Sequence, residues 1–207
     1  MAGSGAVGWV VVSVSTAGAP ASLRVLVWRR LRSWGALYLQ QSVCMLPAQP
    51  RVLTDLARLV SRVAEQGGTA RVVAVQVTDP VAEAGLIDEL NAARDAEYAE
   101  LLERLPAFHT ELEQETARGR ATYAEVEESE ADLHRYQAWL GKITARDYFH
   151  APAAGTARAA VQTAETALAV FERAALTAEN PAGIGDTTTV RTRDTVARLA
   201  LRVVEGP

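Results

Sequence analysis

Residues 23–47 read LRVLVWRRLRSWGALYLQQSVCMLP. Arginine and tryptophan crowd its first half. A guanidinium offers fixed donors to phosphate or another oxyanion, and an indole offers a face on which a base or a cation stacks. At helical spacing, Leu23, Val27, Leu31 and Trp34 form one apolar stripe, flanked by Leu26. Arg29 and Arg32 fall on the opposite side, Arg24 and Trp28 make an i, i+4 pair at one edge, and Arg30 flanks the other. Arg24, Trp28, Arg29 and Arg32 are therefore the candidates for contact with DNA or a small anion. A solvated helix face, with or without a dimer contact on it, is the competing use of the same residues. Nothing in the stretch singles out side chains that reach base edges, so any contact expected here is to phosphate.

A second set lies further along. Ile87, Arg94, Tyr98, Leu101, Leu105, Phe108 and Leu112 recur at heptad-like spacing, as do Tyr123, Val126, Glu130, Leu133 and Leu140. Arg94 and Glu130 are the charged members of these two seams. A charge at a seam costs stability unless paired. Either the two pair with each other or are exposed, or Arg94, Tyr98 and Glu130 are candidates to line a pocket, where the guanidinium would suit an oxyanion.

Other chemistries find little support. His109, His134 and His150 are far apart, and there is no H-x-x-x-H or C-x-x-C pair, so no metal site is expected. Cys44 alternates with Val43 and Met45 and has no second thiol to resolve it, which points to an inert buried cysteine. There is no P-loop, no G-x-G-x-x-G after a strand and no Ser-His-Asp spacing. A non-enzymatic protein without a cofactor is expected.

Charge is uneven. The net charge of −4 divides into +5 over residues 1–80, −9 over 81–150 and zero over 151–207. A polyanion is drawn to the first part and repelled by the second. Arginine outnumbers lysine almost to its exclusion, Lys142 being the one lysine, in a manner that fits GC-rich coding. That lowers the weight of arginine as such. Hydrophobic residues make up 49%, enough for a sizeable core. The apolar run AVGWVVVSV at 6–14 lacks the preceding Lys or Arg of an export signal and reads as a buried strand. No run is long enough to span a bilayer. With one cysteine, a cytoplasmic protein is expected.

These residues need a scaffold. WVVVSVS (9–15) reads as a strand and residues 21–34 as a helix that starts near Ser22 and stops at Gly35. GALYLQ and SVCMLP read as a hairpin turning near Gln41-Ser42. Residues 51–68 form an amphipathic helix on Val52, Leu56, Leu59 and Val63, and 69–78 a further strand. The order is that of an α+β, ferredoxin-like βαββαβ antiparallel sheet over residues 1–79. A three-helix, bundle-like segment over 80–178 follows, packed on or beside the open sheet face, with Pro106 kinking or dividing its first helix. Its third helix carries Val161, Ala164, Leu168 and Phe171. Residues 179–207 read as a linker and a short amphipathic helix through Val196, Leu199 and Val203.

The opening, with its strand, V-W-R-R-L, G-A-x-Y-L and V-x-x-L-P, resembles the N-terminal domain of the chromate-resistance protein ChrB. NAARDAEYAELLERL (91–105) and ITARDYFHAP (143–152) are similar to two later landmarks of that domain, so the likeness runs from about residue 9 to 175. More distantly, the topology resembles the ferredoxin-like domain of the regulator PaaX and the small CRISPR-associated nucleases. The resemblance implies a chromate-responsive, DNA-binding transcriptional regulator, with its own operator and chromate as expected partners; a homodimer through sheet edges or the helical bundle is expected from the scaffold. A ligand-binding or protein-interaction module without catalysis is the alternative. The chain departs from the pattern where its hairpin turn has Gln-Ser for an acidic residue and Gly. The residues after 175 are too few for the second domain of longer members. The nuclease likeness lacks its metal-binding carboxylate, since the first strand ends in Ser15-Thr16-Ala17-Gly18.

Overall fold

The computed structural model describes residues 8–119 and 121–179. The expected linker and C-terminal helix lie outside these residues.

Four strands and five helices follow in the order β1 (Trp9–Ser15), α1 (Ala21–Ser33), β2 (Leu37–Gln40), β3 (Val43–Pro47), α2 (Pro50–Glu65), β4 (Thr69–Val75), α3 (Pro80–Ala117), α4 (Tyr123–Thr144) and α5 (Ala154–Glu179). The fold is α+β, and its antiparallel sheet has the order β2-β3-β1-β4. The apolar β1 is central, with Val12 opposite Cys44 on one side and Val72 on the other. A strand buried on both faces need not alternate, and WVVVSVS does not until its polar end.

Alternation divides the sheet's side chains between two apolar clusters. Val10, Val12, Val14, Cys44 and Leu46 pack with Leu23, Val27 and Leu31 of α1 and all four stripe residues of α2. Trp9 and Met45 on the other face pack with Leu90 of α3, joined by Leu86, Ile87 and Phe149. The second sheet face is thus covered, as its apolar content required. The edge strand β4 is different: Val72 and Val73 are both exposed.

α1 starts after Pro20 without a side-chain cap, so Ser22 does not cap it. Its end is tightly specified. Gly35 N–H donates to Arg32 and Ala36 N–H to Leu31, the paired bonds of a Schellman ending, and Gly35 takes φ +73° there. The chain is thereby turned directly into β2. The hairpin turn at Gln41-Ser42, which lacks the usual turn residues, is held from outside: Val14 N–H donates to Ser42 O at 3.0 Å.

Two compact units divide the chain. One runs up to Glu103 and resumes over Tyr136–Ala160, and the other takes Arg104–Arg135 and resumes at Val161. The composition break at Asp79-Pro80 coincides with the start of α3, but the first unit continues past it. In the second unit, Leu105, Phe108 and Leu112 of α3, Leu133 of α4 and Val161, Ala164, Leu168 and Phe171 of α5 are buried.

Two expectations are narrowed. α3 runs through Pro106 without division, which removes the dividing half of the first. The proline removes one backbone donor, but buried side chains on both sides of it hold the helix in register. The α4 seam is also narrower than its spacing implied. Tyr123 and Glu130 are exposed and Val126 is half-buried, so Glu130 stands in solvent and not in a buried seam. Its run EVEESEAD is acidic enough to remain in water.

Candidate functional site

Arg24, Trp28, Arg29 and Arg32 are all exposed on α1, while Leu23, Val27 and Leu31 are buried beneath them. The helical period alone places them so. The Arg32 guanidinium carbon lies 5.2 Å from the centre of the Trp28 ring, a cation–π contact on a tryptophan that remains 48% exposed. Arg24 Nε approaches Thr16 Oγ1 at 3.5 Å, which turns its guanidinium toward the end of β1.

Beside this edge of α1 lies a cleft of ≈ 720 Å³. Val14, Val27, Leu31 and Cys44 supply its apolar lining, Trp28 and Tyr38 its rings, and Ser13, Ser15, Thr16, Gln41 and Ser42 its polar positions. Arg24 is the charged residue among those that line it. Cys44 is buried, and burial pushes its thiol from 9.0 up to about 11, so it is protonated at neutral pH. The inert reading of this cysteine is supported. Tyr38 is also raised from its ordinary value, chiefly by burial. The sequence indicated Arg24 and Trp28, but Tyr38 and the β1 hydroxyls join them only through the fold.

Arg94 and Tyr98 are brought together in another place. Arg94 is buried on α3. Its Nη2 donates to Glu97 Oε1 at 2.8 Å, and its Nη1 lies 3.5 Å from Arg146 O. Arg146 Nε donates to Glu97 Oε2 at 3.0 Å, with a second contact from Arg146 Nη2. One carboxylate thus joins two guanidinium groups. Burial lowers the Arg94 pKa and Glu97 opposes that shift, while Arg94 Nε stays buried without a partner. Arg94 pairs with Glu97, one helical turn away, and not with Glu130.

Tyr98 is fully buried and donates to Asp147 Oδ2 at 3.1 Å. Asp147 Oδ1 accepts from Ala151 N–H at 2.9 Å, and Asp95 Oδ1 accepts from Ala153 N–H at 2.8 Å. Tyr148 donates to Trp34 O at 2.6 Å, and Phe149 stacks obliquely on Trp9 at 5.6 Å. Trp9 Nε1 in turn donates to Glu83. The run Arg146-Asp147-Tyr148-Phe149 therefore ties the chain after α4 to α3, to the end of α1 and to the sheet.

The family model described as Protein ChrB, N-terminal, matches residues 24–181. The chain belongs to this family. The matched span opens at Arg24 and contains both the α1 surface and the Arg94–Arg146 cluster. No curated protein matches the chain. Membership associates the chain with chromate resistance. In this ChrB-family chain the two later landmarks, 91–105 and 143–152, are partners in one hydrogen-bonded cluster. Their bonds give the pairing an architectural role: Glu97 and the Arg146 carbonyl hold Arg94, whose Nε keeps a buried N–H without a partner. Sequence reasoning missed Glu97, Arg146, Asp147 and Tyr148. The only signal was their presence in the two landmark stretches.

Among the described residues no group of three His, Cys, Asp or Glu is placed to hold a metal ion. No described helix is long and apolar enough to cross a membrane.

Proposed function

We propose that the chain is a DNA-binding regulator of a chromate-resistance operon and that the exposed face of α1 makes the phosphate contacts. The observation that carries this reading is the group Arg24, Trp28, Arg29 and Arg32, all exposed within a stretch of net charge +5. Such a face attracts a polyanion without an accompanying acid to cancel it. The Arg32–Trp28 contact orders one of the cations in advance.

The rest of the reading concerns scaffold and setting. The element order, with β3 between β1 and β2 and β1 between β3 and β4, supports a ferredoxin-like sheet. The buried stripes of α3 and α5 support a helical bundle in the second unit. We place the protein in the cytoplasm as a homodimer with a regulatory and non-catalytic role, and with chromate as the inducer that releases DNA.

Fluorescence anisotropy with a labelled fragment of the chain's own promoter tests this reading. Binding that weakens steeply with salt and is relieved by chromate is the expected result. Absence of binding at low salt overturns it.

A further inference from the structure

We infer that the cleft beside α1 is a binding site for a small aromatic anion, a planar apolar body bearing one carboxylate, sulfonate or phosphate. The inference rests on the cleft's lining and is independent of whether α1 contacts DNA. Its volume of ≈ 720 Å³ lies within the range of small-molecule sites. Val14, Leu31 and Cys44 line it with apolar surface, and the protonated thiol adds no charge. Trp28 and Tyr38 supply two rings, which favour a flat partner through offset stacking or edge contacts.

The charge of the ligand follows from what lines the cleft. Arg24 stands there and no carboxylate does. A cationic ligand finds repulsion and no counter-ion. A neutral aromatic uses the rings and leaves the guanidinium idle. An anion attached to a ring uses both. Arg24 is suited to this because its Nε is directed to Thr16, which leaves the two terminal nitrogens to hold two oxygens together. Arg32, stacked on Trp28, adds positive potential at the same edge. Bare duplex DNA is too broad to enter a cleft of this size, so the occupant is a small molecule.

Isothermal titration of the full chain in the absence of DNA tests the site with 2-naphthoate and its neutral analogue 2-naphthamide. Naphthoate is expected to bind at least about tenfold more tightly than the amide, the difference made by one charge-assisted contact. Arg24→Ala should reduce naphthoate to the affinity of the amide and leave the amide unchanged. Trp28→Ala should weaken both. Arg58→Ala, a cation outside the cleft lining, should change neither. Circular dichroism confirms that each variant is folded. Failure of naphthoate to bind, equal binding of acid and amide, or an unchanged affinity in Arg24→Ala overturns the proposal. Because DNA is absent, these results are separate from the test of DNA binding.

Discussion

Gly35 and Arg94 share one corner of the molecule: a Cβ atom on Gly35 would overlap Nη1 of Arg94 and lie 3.2 Å from Cβ of Arg146. Arginine ends are usually free to move aside. This one is buried and held by Glu97, so it has no easy retreat. The glycine is also required by its φ of +73°. Gly35→Ala is therefore expected to cost about 2 kcal/mol or more in urea denaturation, combining backbone strain with the steric overlap. In an Arg94→Ala background the steric part disappears, and the added cost of Gly35→Ala should fall to roughly 1 kcal/mol.

Glu97 is the shared acceptor of the cluster. Glu97→Ala leaves Arg94, whose side chain is 9% exposed, without a counter-ion. Because Glu97 itself is partly exposed, the expected loss is about 2 kcal/mol, below that of a fully buried pair. Arg135→Ala, which removes an exposed pair with Asp132, should change stability by less than about 0.5 kcal/mol. Equal effects in matched denaturation curves would refute the distinction.

Tyr148→Phe removes the hydroxyl that donates to Trp34 O and keeps the ring in place. A loss of about 1 kcal/mol is expected, since the carbonyl at the end of α1 is left short of a donor. The thermal midpoint should fall accordingly. No change would mean that water replaces the hydroxyl at no cost.

Cys44 gives a pH signature. Its folded pKa, about 11, lies above the ordinary 9.0 because burial disfavours the thiolate. The thiol thus contributes stability that is complete below pH 9 and is lost as the pH rises toward 11. In that window the unfolded chain has released the proton and the folded one has not. Denaturation curves at several pH values should show this decline, and Cys44→Ala should reduce its slope. At pH 8 a thiol reagent should label the protein only as fast as it opens.

Arg29 and Arg32 bear on the regulatory reading. If each contacts one phosphate, replacing both with alanine should lower the slope of log affinity against log salt by roughly 2. Binding should weaken uniformly across promoter sequences, because phosphate contacts carry no base information. Anisotropy titrations over a salt series measure both effects. An unchanged slope removes α1 from the interface.

The sequence was most legible where one element decides its own pattern. The stripes of α1 and α2 follow from helical period, and Val10, Val12 and Val14 from strand period. The α1 surface was legible for the same reason, since what is not in the stripe must face outward. Period failed on α4, where Glu130 occupied a seam position in sequence and solvent in the fold. At Pro106 the local signal left two outcomes open, a kink or a break, and the helix does not break. The Glu97–Arg146 pair spans 49 residues, and Tyr148 reaches Trp34 across 114. No local period encodes such distances. Tyr38 and Cys44 were visible as residues of a hairpin, but their place in a cleft with Arg24 depends on how α1 lies over the sheet.

The bonds from residues 146–149 can form only late in synthesis, because these residues follow the sheet in the chain. Trp9 and Met45 form one face of the sheet, but Phe149, one of the groups that cover it, leaves the ribosome a hundred residues later. Closure between sites so far apart in the chain is slow. Until then the nascent sheet presents Trp9 to water or to a chaperone. Severing the chain after residue 79 would make that transient condition permanent, since Leu86, Ile87, Leu90 and Phe149, which pack against Trp9 and Met45, would be gone.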